Sequence, residues 1–326
     1  MIPVRILGTA SLLPGREVPT SEAAAASVPH KNAAEIEARI GIKTRYWSPP
    51  GTRMADVAAR ALGQAAEAAG ISPRELKRVI FVSSTGGDYT NPATASSVID
   101  ALGINGLCDG FDMANACVGF VSAMDIGARS VATGLSPVGI VAVELMSRFI
   151  RPEDPRPYLV LGDGVGAVIL GAPRAGEGIR AVSLGNDGAN GGTAYIEHPG
   201  LTRKLELSVF AASNRDMNAI ATKAIVDSAN AVLAQCGLSM ADVAWVLPHQ
   251  PNGQMFKEIL EALGVDPARS VPVVQDIGSV SAASIPISLD RLMRARRVRP
   301  GDRILMVAVG SGLAYGALLY QVAPAA

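Results

Sequence analysis

The chain has 326 residues, 49% of them hydrophobic, and its 29 basic and 29 acidic side chains cancel. That is enough apolar material for one large core or two ordinary domains, and the charge balance gives no bulk reason to bind nucleic acid or a membrane surface. Three cysteines without a CxxC pair (Cys108, Cys117, Cys236) suit a reducing cytoplasm. Asp125, Arg129, Glu144 and Asp163 break the greasiest stretches before any reaches the ~18 residues of a membrane span.

Met1 to Gly8 reads as a strand ending in glycine, without the basic-then-apolar pattern of a signal peptide. Ala33–Arg39 reads as a helix stopped by Gly41. Met54–Ala69 places Val57, Ala58, Ala61, Leu62, Ala65, Ala66 and Ala69 at helical spacing before Gly70. Ser72-Pro-Arg-Glu75 is a capping box, and Val79–Val82 is a buried strand. A Gly/Asp/Asn/Pro-rich loop, Thr85–Thr94, leads to a short helix, Ala95–Leu102. Val138–Val143 reads as a further strand, and Leu159–Leu170 as a strand pair joined by a glycine turn.

The second half repeats this grammar. Ala66–Ser83 and Leu233–Pro248 both read as helix, glycine stop, Ser-capped turn and apolar strand, and Gly162–Leu170 is echoed by Gly310–Leu319. Echoes in the same order suggest an internal duplication with halves 1–175 and 176–326. Alternating helices and continuously apolar strands predict α/β layers with both sheet faces covered.

The chemistry gathers on a few short stretches. Phe111–Phe120 runs from a strand into small residues, then Cys117, then a helix. That setting exposes a thiol to free N–H groups and the helix dipole, which favour thiolate. His249, in Pro248-His-Gln-Pro-Asn252, sits where a strand breaks. Asp276–Ile287 is a polar turn leading into a helix, and Gly310-Ser311-Gly312 can aim backbone N–H groups at an anionic oxygen. Together they supply a nucleophile, a base, an orienting turn and an oxyanion hole for acyl transfer. Gly162–Gly166 has neither Walker nor Rossmann spacing, and the three histidines lack metal-ligand partners.

At these residues the chain resembles the β-ketoacyl-acyl-carrier-protein synthase III family of the thiolase superfamily. The likeness rests on Arg39-Ile-Gly41-Ile, Asn115-Ala-Cys117-Val-Gly119-Phe, Leu161–Ala167, Pro248–Asn252, Gly278–Pro286 and the Gly310–Gly312 turn, in that order. It implies a thiolase-like α/β/α/β/α fold of two duplicated halves, a homodimer, and no cofactor beyond the coenzyme A or phosphopantetheine of its thioester substrates. It further implies that Cys117 is acylated from acyl-CoA or an acyl carrier protein and passes the acyl group on, by Claisen-type condensation, with His249 assisting. By the same resemblance the Cys117 and Ser311 N–H groups would form the oxyanion hole and Arg39 would contact coenzyme A.

Three positions depart from the family pattern. Ser279 stands where the third catalytic residue is asparagine. Gly253-Gln254 follows Asn252 where a basic residue faces the carrier. Asn91 replaces a phenylalanine before Pro92, in a loop that reaches the partner's acyl pocket. Transfer to an amine, alcohol or thiol, and a silent partner subunit, are the alternatives these changes leave open. Retention of both Cys117 and His249 argues against the silent subunit.

Overall fold

The computed structural model describes residues 1–193, 195–196, 198 and 215–325. Two five-stranded mixed sheets dominate it. The first has the order β2-β8-β7-β5-β6: β2 (Arg5–Leu12), β8 (Asp163–Gly171), β7 (Val138–Leu145), β5 (Arg78–Val82) and β6 (Asp109–Met113). The second has the order β1-β9-β12-β11-β10: β1 (Ile2–Pro3), β9 (Gly178–Asn186), β12 (Ala314–Gln321), β11 (Arg303–Gly310) and β10 (Trp245–Pro248). A small hairpin, β3 (Arg16–Pro19) with β4 (Thr44–Trp47), stands apart.

Four strands correspond between the sheets in order and direction. β2 and β8, β8 and β7 are antiparallel, and β7 and β5 parallel. Likewise β9 and β12, β12 and β11 are antiparallel, and β11 and β10 parallel.

Two helices fill the space between the sheets: α5 (Gly119–Ala132) and α10 (Ser284–Arg294). Their side chains share one core with strands of both sheets, including Phe120, Met124, Ile140, Ile287 and Met306. The outer face of the first sheet is covered by α3 (Met54–Ala69) and α4 (Thr94–Ala101). That of the second is covered by α7 (Arg215–Gln235) and α8 (Gly253–Ala262). The result is the five-layered α/β/α/β/α stack.

Local rules explain the element ends. In α2 (Ala33–Ile40) the Asn32 side chain accepts from the backbone of Ala34 and Glu35, and Gly41 closes the helix in the left-handed region at φ 66°. Gly70, at φ 71°, closes α3 in the same way, and the Ser72–Glu75 capping box forms as read.

One reading fails. Leu159–Leu170 is not a strand pair: α6 (Pro155–Val160) is followed by a single strand, β8. Its alternate glycines serve packing, since a Cβ on Gly166 would meet Pro286 at 2.7 Å and one on Gly164 would meet Ile287 at 3.0 Å. They let α10 approach the sheet.

Candidate active site

Cys117 lies in a 3-10 turn, Ala116–Val118, between β6 and α5. The residue before it, Ala116, has φ 44°, a left-handed conformation that costs about 1–3 kcal/mol in a non-glycine residue. Gly310, at the end of β11, presses against this turn, and a Cβ there would stand 2.7 Å from the Cys117 nitrogen. The turn is therefore held by the second sheet as well as by its own.

A second turn meets it from the other half. Ser281–Ala283 is again a 3-10 turn before a central helix, α10, and its first residue, Ser281, has φ 43°. The Ser281 hydroxyl lies 3.1 Å from the Cys117 sulfur. Burial pushes the Cys117 thiol up, against the pull of Ser281 and of its own backbone N–H. The sequence reading favoured thiolate from the helix start alone; enclosure by two sheets outweighs it.

His249 follows β10 and is buried, with Nδ1 2.9 Å from the Ser284 hydroxyl. Burial lowers its pKa to about 4, offset in part by Glu144 and by a backbone hydrogen bond at Ser281. The ring is neutral at pH 7.

Cys117, His249, Ser279, Ser281, Asn252 and Ser311 all line one cavity of about 360 Å³. The Ser279 backbone is pinned by its N–H to Val160 and by Gly162 N–H to its carbonyl, at 2.8 and 3.0 Å. Asn252 caps α8, its side chain accepting from the Met255 N–H at 2.8 Å. Arg39, Asn91 and Gln254 lie outside the cavity wall and are exposed, and the Gln254 amide donates to Glu258. Among the described residues no group of three or more His, Cys, Asp or Glu side chains gathers as a metal site.

Sequence reasoning missed Ser281 and Glu144. Glu144, near the end of β7, is wholly buried. Its Oε1 accepts from the Ser84 and Ala282 N–H groups at 2.9 and 3.3 Å; its Oε2 lies 2.8 Å from the Ser84 hydroxyl. The available signal was a single carboxylate ending a continuously apolar strand.

Residues 111–188 match the family described as 3-oxoacyl-[acyl-carrier-protein] synthase III, and residues 233–322 match its C-terminal part. The chain is 34% identical over 325 residues to the β-ketoacyl-[acyl-carrier-protein] synthase III of Erythrobacter litoralis, covering 98% of this chain and 100% of that one. It is 33% identical to the 3-oxopimeloyl-[acyl-carrier-protein] synthase of Rhodothermus marinus, covering 97% and 93%. The crystal structure of 3-oxoacyl-[acyl-carrier-protein] synthase III from Aquifex aeolicus superposes with a TM-score of 0.89 at 28% identity, covering 98% and 99%.

Proposed function

The chain belongs to the 3-oxoacyl-[acyl-carrier-protein] synthase III family of Claisen-condensing acyltransferases, and from that premise we propose how its own residues divide the reaction. In the first half-reaction the Cys117 thiolate attacks the carbonyl carbon of an acyl thioester. The tetrahedral oxyanion is received by the N–H groups of Cys117 and Ser311, and the coenzyme A or phosphopantetheine thiolate leaves and takes up the proton that the Cys117 thiol gave up. In the second, a malonyl-type thioester loses carbon dioxide, and the electron pair of the broken C–C bond forms an enolate. The enolate carbon attacks acyl-Cys117, the Cys117 sulfur leaves with its electron pair, and a β-ketoacyl thioester results.

Neutral His249 donates a ring N–H to the enolate oxygen. In this scheme the Ser284 hydroxyl, 2.9 Å from Nδ1, donates to it, and the ring proton sits on Nε2. Ser279 offers a second, shorter donor. The observation that carries this reading is the single cavity wall shared by Cys117, His249, Ser279 and Ser311.

The carrier side rests on surface features. A groove lined by Glu37, Ala38, Lys43, Gly253 and Lys257 lies where α2 and α8 meet. There the backbones of Gly41 and Gly253 approach so closely that a Cβ on Gly253 would stand 2.5 Å from the Gly41 carbonyl oxygen. Lys43 and Lys257, with Arg39 on the last turn of α2, supply positive charge for a phosphopantetheine thioester, on coenzyme A or an acidic carrier protein. Among the described residues β6 leaves one edge of its sheet unpaired, and Tyr89 is 52% exposed in the loop that carries Asn91. Both support a homodimer in which that loop enters the partner's acyl pocket. The three unpaired cysteines support a cytoplasmic enzyme, and no described helix is long and apolar enough to cross a membrane.

The test is intact-protein mass spectrometry after incubation with a panel of acyl-CoAs and acyl carrier proteins, followed by malonyl-thioester. An acyl adduct mapped to Cys117 that disappears into a β-ketoacyl product is expected. Product formation without any adduct would overturn the covalent route.

A further inference from the structure

The hydrogen-bond donors around Glu144 are sorted by kind. Both backbone N–H groups, from Ser84 and Ala282, go to Oε1, at 2.9 and 3.3 Å. Oε2 meets hydroxyls, Ser84 at 2.8 Å and Ser83 at 3.5 Å. An N–H can only donate, whereas a hydroxyl can turn and accept. The Ser84 hydroxyl also has somewhere to send its own proton, the Met146 sulfur at 4.0 Å. This is the environment of a neutral carboxylic acid, carbonyl oxygen at Oε1 and O–H at Oε2.

The fold itself does not require an acid here. Glu144 faces the central layer in phase with Ile140 and Ala142 of β7, and the matching position of β11, in phase with Ile304, Met306 and Ala308, is Gly310. At that place the other half carries no side chain, and the Gly310 backbone itself packs against the Cys117 turn.

We infer that Glu144 is a positioning residue for acyl transfer: a buried carboxylic acid that ties the Ser281–Ala282 turn to Ser84 and so fixes the Ser281 hydroxyl on the Cys117 thiol. Two titratable groups face it, Cys117 from the nucleophile turn and His249 from the end of β10. β5 ends in Ser83 and Ser84. Asp163 of β8 pairs with Leu145 and so points to the opposite sheet face, where it bonds Ser48 and Ser147. Among the described residues no ion pair involves Glu144. Burial pushes its pKa up to about 8, against the bonds from Ser84 and Ala282. Neutral, it leaves a Cys117 thiolate unopposed; ionised, it repels one.

The inference rests on Cys117 as the acyl acceptor, so its test uses a readout independent of acyl chemistry. Alkylation of Cys117 by iodoacetamide is followed against pH in wild type, Glu144→Gln and Glu144→Ala, beside acyl loading and a melting curve. Glutamine reproduces the neutral acid, its carbonyl taking the N–H pair and its amide facing the hydroxyls. It should keep alkylation and loading within about threefold of wild type at pH 7, whereas alanine should lose about tenfold or more by releasing the turn. Above pH ~8 the glutamine variant should gain on wild type, because it has no anion to form. Equal rates for glutamine and alanine, or a glutamine-to-wild-type ratio flat with pH, would overturn the inference. If the alanine variant does not fold, the pH course of that ratio decides. Failure of loading in wild type, with the alkylation contrast intact, would instead refute the acyl-Cys117 reading.

Discussion

Two turns built alike meet at the cavity. Ala116-Cys117-Val118 and Ser281-Ala282-Ala283 are both 3-10 turns that enter a central helix, and both begin at a left-handed residue, φ 44° and 43°. The strand topologies behind them correspond, so Cys117 and Ala282 occupy equivalent places. What differs is the residue set pressed against each turn. The first turn faces Gly310, whose missing side chain lets a strand end approach Cys117; at the equivalent place behind the second turn stands Glu144, whose carboxyl accepts from the Ala282 N–H. The turn with the sulfur thus meets bare backbone from the opposite half. The turn with the hydroxyl meets a buried acid from the opposite half. A repeated architecture supplies two helix starts; in the proposed reaction, side-chain choice makes one the nucleophile and the other its support.

The most severe way to break this asymmetry is to remove the sulfur. Cys117→Ala should abolish acyl loading outright, while Cys108→Ala and Cys236→Ala load normally. Intact-mass measurement of the three variants settles it, and loading of the Cys117→Ala protein would end the covalent scheme.

The next largest effect belongs to Ser279, two residues before the supporting turn. Decarboxylation builds charge on the malonyl thioester oxygen, where the family pattern sets an asparagine beside the histidine. Losing one preorganised oxyanion donor costs about 10²–10³ in rate. Serine is shorter, and Ser279 is held in place by its backbone bonds to Val160 and Gly162. Ser279→Asn should therefore raise carbon dioxide release from malonyl thioester by up to ~10²-fold and leave Cys117 loading unchanged. Wild-type release that is already fast and indifferent to Ser279→Ala would show that His249 suffices.

These positions differ in how well the sequence announces them. Cys117, His249, Asn252 and Ser311 are legible because each interrupts an apolar run at a predicted strand or helix end, and their order matches a known family. Ser281 is not, since only the fold brings it 3.1 Å from a sulfur 164 residues away. Glu144 reads as a break in hydrophobicity until its donors are seen. The glycines of β8 mislead for a related reason. Gly164 and Gly166 look like a turn, yet they are absences that α10 fills, and a helix packed from 120 residues downstream leaves no local mark. The thiol's pKa fails differently: a helix start is local and favours thiolate, whereas enclosure is global and opposes it.

A smaller effect tests the bare-backbone side. Gly310→Ala would place a methyl group 2.7 Å from the Cys117 nitrogen and 3.2 Å from its Cβ. We expect about 1–3 kcal/mol of lost stability and a fall of ~10-fold in loading as the nucleophile turn shifts. A melting curve and a loading time course separate the two. Unchanged loading would mean that the second sheet does not position Cys117.

The mildest test leaves rate aside and reads stability against pH, where the two halves contribute with opposite sign. Glu144 has its pKa raised by burial from an ordinary 4.5 to about 8, so its contribution is full below pH 4.5 and is lost as pH rises through 8. His249 has its pKa lowered by burial from 6.5 to about 4. Between those values the unfolded chain binds a proton that the folded one refuses, so stability is lost as pH falls from 6.5 toward 4. From pH 4.5 to 6.5 the two slopes oppose each other, and from 6.5 to 8 only the Glu144 slope remains. The wild-type melting temperature should therefore fall as pH rises from 6.5 to 8, and Glu144→Gln should remove that fall while keeping the acid-side loss set by His249. Parallel curves for the two proteins across this range would mean that Glu144 is already ionised in the folded enzyme, with a negative charge standing permanently behind the turn that supports Cys117.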